Sequence, residues 1–366
     1  MEFSDVSLLI IAGGKSSRMG RDKRFLSYGG EGLLERLARK AAALPLAARF
    51  LCVEESPPAL QEIAERYGLT LVEDGVQGRG PMEGLTRGLS RIKTDYALAI
   101  SCDMPFLELK ELRPLLKAVE GNDFQVILPR TGRRQPLAAL YHRALADRFA
   151  AALKEGERKL GKVIDEVPHA FVDFPDEVLF FNVNTAADWR LAYGRLVNEQ
   201  RPTPLVTISA PVSNTGKTTF IERVLPRLSA MGIRAGVVKG DCHGYDVDEE
   251  GKDSWRFKAA GATGVAVVSP HGYFIEQRTE TRADLVAIAA RLTDVDLVLI
   301  ESRRHGTAPR IELYRDRGEL ALQEDTAACF TKTKQDVKDV NEYPLDDSDT
   351  AVRIITFLMS HQRKNA

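Results

Sequence analysis

The sequence predicts an α/β protein of two domains, each a mainly parallel sheet flanked by helices. Three observations carry that expectation. Short apolar runs alternate with segments whose apolar residues recur at helical spacing, the pattern of strands joined by right-handed crossovers. Two of those runs, Leu8 to Ile11 and Leu205 to Ser209, each lead into a glycine-bearing loop with cations. Between the halves lies a polar stretch with two prolines, Asn198 to Pro204, the kind of segment few contacts cross. At 366 residues the chain exceeds one ordinary core. The expected organisation is a first domain over 1–195, a linker over 196–203 and a second domain over 204–366.

The run Leu8 to Ile11 is fully apolar and stops at Ala12-Gly13-Gly14, as a buried parallel strand does at its carboxyl edge. Glycines have no Cβ to hold other groups away, so consecutive N–H groups can turn inward and make an anion nest. Lys15, Arg18, Arg21, Lys23 and Arg24 add five positive charges within ten residues, about what a triphosphate needs. The plainer reading is a tight turn with a solvated basic flank; the coincidence of strand, glycines and cations favours a triphosphate cradle. Neither G-x-G-x-x-G nor Gly-Lys-Thr occurs here, so a dinucleotide loop and a P-loop are excluded at this site.

Leu33, Leu34, Leu37, Ala38, Ala41 and Ala42 then recur at helical spacing, and Arg49 to Val53 is a second strand. A helix is expected from Pro57-Pro58 to Gly68, and Leu69 to Val72 makes a third strand. That strand delivers Asp74 to the edge where the ligands of such sheets collect, so Asp74 faces the nucleotide. Gly80-Pro81 opens the next helix, with proline near its first turn. Tyr96 to Ile100 is another strand, followed by Ser101-Cys102-Asp103-Met104-Pro105. An acid after a central strand, opposite a triphosphate nest, stands where a magnesium ligand is needed, since Mg²⁺ takes one or two carboxylates plus phosphate oxygens. A helix N-cap is the plainer role for Asp103. Cys102 reads as a small buried apolar group rather than a nucleophile.

Leu205 to Ser209 leads into Ala210-Pro211-Val212-Ser213-Asn214-Thr215-Gly216-Lys217-Thr218-Thr219 and a helix from Phe220 to Leu228. Strand, Gly-Lys-Thr-Thr loop and helix form a Walker A arrangement: Asn214 to Thr219 supply N–H donors, Lys217 holds phosphates and the Thr218 hydroxyl ligates Mg²⁺. The position five before Gly216, normally glycine, is Pro211, which removes one N–H. Ala235 to Val238, Val265 to Val268 and Leu297 to Ile300 are expected as further buried strands, the last closed by Glu301 as a Walker B-like metal acid. Asp246 and Asp248 read as metal or switch acids, and Cys242-His243 lacks the second ligand pair a zinc site needs. Thr333-Lys334-Gln335-Asp336 fits a T-K-x-D pattern that reads guanine in GTPases, a match short enough to arise by chance. Met359 to Ala366 is expected to fray.

Composition narrows the function classes. Lys and Arg total 51 against 52 Asp and Glu, a net charge of −1, so no global basic field exists to hold nucleic acid or an anionic membrane. The four cysteines, Cys52, Cys102, Cys242 and Cys329, form no C-x-x-C, which argues against a disulfide framework and a zinc knuckle. With no leader pattern at the amino terminus and no stretch near bilayer length, the expected compartment is a reducing cytoplasm.

Residues 12–23 resemble the A-G-G-x-S-x-R-M-G-x-D-K signature of the molybdenum cofactor guanylyltransferases, relatives of the sugar-nucleotide pyrophosphorylases. Asp74, Gly80, Pro81, Met82 and Gly84 are similar to that family's second motif, D-x-x-x-G-x-G-P-[LM]-x-G, and Cys102-Asp103-Met104-Pro105 to its C-D-x-P metal motif. The resemblance implies a nucleotide-diphospho-sugar-transferase-like, Rossmann-like domain followed by a P-loop NTPase domain. It implies transfer of GMP from GTP to the terminal phosphate of molybdopterin, with Mg²⁺. Ile11, Ala12, Gly13, Gly14, Lys15, Lys23, Asp74, Gly80, Pro81 and Asp103 would hold the nucleotide, and Asp103, Lys23 and Arg18 would be catalytic. The family's asparagine after the second strand is absent, with Cys52-Val53-Glu54 in its place.

Three further stretches resemble the family: Gly132 to Tyr141, Gly156-Glu157-Arg158-Lys159, and Phe181-Asn182-Val183-Asn184-Thr185, close to F-x-N-V-N-T. They imply that Arg134, Gln135, Arg158, Lys159, Asn182 and Asn184 meet the pterin substrate. An N-V-N alternation on a strand puts both amides on one face. Arg133, Arg134, Arg158 and Lys159 read equally well as solvated surface charge.

The second half resembles the GTP-binding adaptor MobB of the same pathway, including its K-x-x-x-H-x-x-D-[VMI]-D and G-K-D-S segments. That implies GTP as a second-domain ligand, molybdopterin-loading and molybdoenzyme maturation proteins as partners, and leaves room for a homodimer through the second domain. The family's V-E-G-F-K is Ile300-Glu301-Ser302-Arg303-Arg304 here. Rival readings are a cytidylyl or sugar-phosphate nucleotidyltransferase, or a non-catalytic P-loop regulatory or delivery protein.

Overall fold

The computed structural model describes residues 1–13, 22–76, 78–240, 248–303, 309–320 and 322–359. They form two compact units, Met1–Trp189 and Arg190–Ala366.

The first unit begins with β1 (Val6–Ile11), the hairpin β2 (Ser27–Tyr28) and β3 (Glu31–Gly32), α1 (Leu33–Ala42), β4 (Ala48–Val53), α2 (Pro58–Tyr67), β5 (Thr70–Glu73), α3 (Pro81–Leu89) and β6 (Tyr96–Ser101). It continues with α4 (Arg113–Lys117), β7 (Val126–Thr131), β8 (Arg133–Arg134), β9 (Ala138–His142), α5 (Leu145–Lys154), α6 (Leu160–Asp165), β10 (His169–Asp173) and the start of α7 (Ala186–Glu199). The main sheet has the order β10-β7-β9-β6-β1-β4-β5, with β8 paired to β7. β1 runs parallel to both neighbours, β4 and β6, while β9 runs against β6 and β7.

Alternation along β1 explains its unbroken apolar sequence. Leu8 and Ile10 pack into one core with Leu34, Leu37 and Ala41 of α1 and Leu60 of α2. Leu9 and Ile11 point the other way, into a core with Met82, Leu85 and Leu89 of α3 and Phe149 of α5. Side chains on a strand alternate faces, so a central strand covered on both sides must be apolar throughout.

The second unit contains the rest of α7, then β11 (Leu205–Ser209), α8 (Lys217–Ala230), β12 (Ala235–Lys239), α9 (Asp253–Ala259), β13 (Gly264–Ser269), β14 (Gly272–Gln277) and α10 (Leu285–Ala289). β15 (Leu297–Glu301), β16 (Arg310–Tyr314), β17 (Thr326–Thr331), β18 (Asn341–Pro344) and α11 (Ser348–Leu358) complete it. Its main sheet, β12-β15-β11-β16-β17-β18, is parallel at every pairing. Each half is thus an α/β sheet with a phosphate-loop candidate at the carboxyl end of a central strand, as expected.

One expectation needs correction here. Val265 to Val268 is not a buried strand of the main sheet: among the described residues β13 pairs only with β14, antiparallel, and Val268 is 78% exposed. A short apolar run has the same letters whether a sheet covers both its faces or one hairpin partner supports its edge. The two compact units meet inside α7, between Trp189 and Arg190, a few residues from the expected domain end at 195. The physical reason lies in what the last turns of α7 touch. The buried Arg195 guanidinium donates to the Phe357 and Met359 carbonyls at 2.5 and 2.6 Å, satisfying carbonyls that the end of α11 leaves open. The fully buried Asn198 side chain donates to the Leu205 and Leu358 carbonyls and accepts from the Leu205 N–H, so the segment entering β11 is stapled to the second unit. Among the described residues no helix is long and apolar enough to cross a membrane.

Candidate functional site

Parallel pairing fixes the first site. Ile11 lies in register with Ser101 on β6 and with Cys52 on β4, so Ala12-Gly13 leaves the sheet beside Cys102-Asp103. The Ala12 N–H donates to the Cys52 carbonyl at 2.9 Å, and the Cys102 N–H to the Ile11 carbonyl at 3.4 Å. Gly13 remains partly exposed, so the bend opens outward rather than into the core. Gly14, Lys15, Arg18 and Arg21 lie outside the described residues.

Asp103 is 5% exposed, and one carboxylate oxygen pairs with Lys23 Nζ at 2.5 Å. The other, Oδ1, is buried and makes no hydrogen bond among the described residues. A buried carboxylate oxygen without a partner is costly, and a bound cation would relieve that cost. Burial works to lower the Lys23 ammonium; the Asp103 carboxylate outweighs it and holds Lys23 above its usual value. The Val183 N–H donates to the Asp103 carbonyl at 2.9 Å, tying the 181–185 stretch to this corner. Burial pushes the Cys102 thiol up to about 12, so it is a neutral packing group at neutral pH. Arg24 is engaged by Asp22 at 2.6 Å and reaches the Ala12 carbonyl at 3.5 Å, which makes it a brace for the bend.

Asp74 reaches the same edge from β5. Its N–H donates to the Val53 carbonyl at 2.8 Å, its Oδ2 stands 3.4 Å from where a Cβ on Gly13 would sit, and its Oδ1 is buried without a partner among the described residues. Burial, then the charges of Glu83 and Glu54, push its carboxyl up to about 7. Gly80 caps α3 with φ +74° and Pro81 fills the first turn, a backbone that glycine tolerates and other residues rarely adopt. Glu83, 5% exposed, was not legible as a site residue. It accepts from the Gly75 N–H at 3.2 Å and pairs with Arg87 at 3.3 Å, so it ties Gly75 to α3. Its only sequence signal is the i,i+4 spacing to Arg79 and Arg87.

The residues expected at the pterin each make contacts within the fold. Arg134 pairs with Asp165 at 2.5 Å, and Gln135 is buried with its amide on the Thr131 hydroxyl at 3.4 Å. Arg158 and Lys159 are exposed, their N–H groups both donated to Glu157. Asn182 and Asn184 do not lie on a strand, because residues 181–184 join no ladder. Asn182 donates to the Phe180 carbonyl at 2.9 Å; the Asn184 and Thr185 N–H groups both donate to Asp188, whose own N–H donates to the Thr185 hydroxyl, closing the first turn of α7.

In the second unit, Gly216 caps α8 with φ +99° and Asn214 takes a left-handed φ of +59°. The Thr215 hydroxyl donates to the Val212 carbonyl at 2.8 Å. Lys217, Thr218 and Thr219 open the helix. The Thr218 hydroxyl donates to the Glu301 carboxylate at 3.0 Å, and Lys239 stands 3.8 Å from it. A hydroxyl in the first turn of α8 and an acid at the end of β15 thus meet where a metal could lie between them. Asp248 is bound by Lys258 at 2.8 Å and Ser254 at 2.7 Å, so its carboxylate is engaged within the fold. Asp246, Cys242, His243 and Arg304 lie outside the described residues, as do residues 360–366 of the tail. Lys334 and Asp336 pair with each other at 2.5 Å, both exposed.

One cluster beside the P-loop strand was missed altogether. Arg310 is 1% exposed; it donates to Asp325 at 3.2 Å and to the Ser209 hydroxyl at 3.2 Å. Burial pushes its neighbour Glu312 up to about 7. The hint in the sequence is Arg310 and Glu312 at i,i+2, on one face of a strand. Among the described residues no group of three or more His, Cys, Asp or Glu could hold a metal by itself.

Known proteins match the two units separately. Residues 8–170 match the family described as MobA-like NTP transferase domain, and residues 205–332 match Molybdopterin guanine dinucleotide synthesis protein B. A probable molybdenum cofactor guanylyltransferase of Clostridium perfringens is 32% identical over 194 residues, covering 50% of this chain and 93% of that one. The molybdopterin-guanine dinucleotide biosynthesis adapter protein of Escherichia coli is 38% identical over 117 residues, covering 31% of this chain and 66% of its own. A crystal structure of molybdopterin-guanine dinucleotide biosynthesis protein A from Archaeoglobus fulgidus aligns with a TM-score of 0.45 at 23% identity, over 51% of this chain and 97% of that one.

Proposed function

Because the chain belongs to the molybdenum cofactor guanylyltransferase family and is a nucleotidyltransferase joined to a MobB-type domain, we propose that its first unit transfers GMP from GTP to the terminal phosphate of molybdopterin. A phosphate oxygen of the pterin attacks the α-phosphorus of GTP; the bond from that phosphorus to the β-phosphate oxygen breaks, and pyrophosphate leaves with the electron pair. The attacking oxygen is already anionic, so no protein base has to take a proton. The observation that carries the reading is the buried pair Lys23–Asp103 beside the Ala12-Gly13 bend. Lys23, with Lys15 and Arg18 from the intervening loop, neutralises charge growing on the departing pyrophosphate.

Gly13 and Gly14 offer backbone donors to the phosphates, with Ile11 and Ala12, whose N–H is held by the Cys52 carbonyl, setting the bend, and Asp74 with Gly80-Pro81 faces the base and ribose. The Asp103 oxygen that has no partner among the described residues suits it to hold Mg²⁺ together with phosphate oxygens and waters, an ion that would supply charge neutralisation across the phosphates. Arg134, Gln135, Arg158, Lys159, Asn182 and Asn184 stay as the proposed pterin-facing set, with Arg134 exchanging Asp165 for a phosphate. Residues 214–219 with Glu301 bind a second nucleotide and Mg²⁺ in an adaptor role, and the covalent join keeps that adaptor at roughly millimolar effective concentration. The test is molybdopterin-dependent pyrophosphate release with ATP, CTP, GTP and UTP in turn, the product read by mass. GTP-selective release with a GMP adduct is expected; release with CTP alone, or with a sugar phosphate as acceptor, overturns it.

A further inference from the structure

The residues 315–318, between β16 and β17, lie directly on the P-loop. A Cβ on Gly318 would sit 2.8 Å from Val212 Cγ1 and 3.5 Å from Pro211 Cβ, so the backbone there is pressed against the first residues of the loop. At its other end the Arg315 guanidinium reaches Gly216, with Nη2 3.4 Å and Cζ 3.7 Å from where a Cβ on that residue would be. Three bonds hold this clasp: Tyr314 Oη donates to the Gly318 carbonyl at 3.2 Å, the Thr333 hydroxyl to Asp316 at 3.0 Å, and the Lys332 N–H to the Tyr314 carbonyl at 3.0 Å. Gly318 itself sits at φ +80°, where a side chain would strain the backbone as well as strike Val212.

Arg315 has no ion pair or hydrogen bond among the described residues. Its charge nevertheless stands at the amino end of α8, the positive pole of the helix, beside Lys217. A cation is poorly placed there unless an anion joins it. Pro211 has also removed one N–H from the loop, and a guanidinium presents several donors in a fork matched to phosphate.

We propose that Arg315 is a phosphate-binding residue of the second unit, clamped over the P-loop by Gly318 and closing on the polyphosphate of a bound nucleotide. This rests on the reading of residues 210–219 as a phosphate loop. The contact adds a charge-assisted bond from outside the Walker A segment, and it makes the β16–β17 connection part of the nucleotide site.

The experiment is calorimetric titration of the full chain with GDP and with inorganic pyrophosphate, following the binding component that Lys217→Ala removes. Arg315→Ala is expected to weaken that component about tenfold or more for both probes, as loss of a bond to a charged group does. Arg315→Lys keeps the charge but not the fork and recovers part of the loss. Gly318→Val, which keeps the guanidinium but lifts the clasp, weakens binding with the circular dichroism spectrum unchanged. An Arg315→Ala chain that binds both probes as the parent does, while Lys217→Ala still removes the component, overturns the clamp and leaves the P-loop reading standing. Weakened GDP binding with pyrophosphate unaffected also overturns it, since the contact is then to base or ribose. If Lys217→Ala removes no component, the P-loop reading falls, and the clamp with it.

Discussion

The two phosphate-loop candidates follow equivalent places, each the carboxyl end of a central parallel strand, yet the acid near each meets a different partner. In the first unit Asp103 is paired with a cation, Lys23; in the second Glu301 is hydrogen-bonded by a hydroxyl, Thr218. An ion pair at a buried site leaves the pocket near neutral and sets a positive group where negative charge must grow, which suits group transfer. A hydroxyl on an acid makes a polar gap that a metal and a phosphate can fill, which suits holding a nucleotide. On the proposed function, the contrast matches a first unit that does chemistry and a second that binds.

The sharpest way to break that contrast is to remove the acid of the ion pair. Asp103→Ala should lower transfer by about 10³-fold or more, in line with losing preorganised charge at a reacting phosphate, while the melting temperature stays near that of the parent; an active variant would abolish the distinction. Thr218→Val should come next in size. Without the hydroxyl, Mg²⁺-dependent nucleotide binding at the second site should weaken about 10- to 100-fold, read by titration with and without Mg²⁺, and transfer with excess GTP should not follow it down.

A smaller effect sharpens the first site through pH. The Asp74 carboxyl, pushed up to about 7 by burial and by Glu83 and Glu54, keeps its proton in the folded chain over a range in which the unfolded chain has lost it. Stability therefore falls as pH rises from about 4 to 7, since the folded state binds more protons there. Asp74→Asn should raise the melting temperature above pH 7, with the gain fading toward pH 4. The same variant should remove a group near 7 from the pH profile of kcat/KM for GTP, and an unchanged profile would take Asp74 out of the nucleotide site.

Much of the fold was legible because period and punctuation agreed. Leu8 to Ile11 had to be a strand covered on both faces, and Pro58 and Gly68 bracket α2 as its first residue and left-handed cap. What stayed hidden depends on partners. Nothing in Val265 to Val268 says that its neighbour is one hairpin strand rather than a sheet, and the helical period of α7 does not reveal that Arg195 and Asn198 are claimed by the second unit. Alternation in Asn182-Val183-Asn184 suggested a strand, but the single bond from Val183 to the Asp103 carbonyl replaces a ladder. Arg310 and Arg315 look like ordinary charged residues in sequence; only the packing buries one and holds the other against Gly216.

The division of labour is tested most directly by molybdopterin-dependent pyrophosphate release from GTP, measured side by side for the Asp103→Ala and Lys217→Ala chains. The account predicts that Asp103→Ala abolishes release and that Lys217→Ala retains it while losing nucleotide binding at the second site. Equal loss of release in both chains would contradict it.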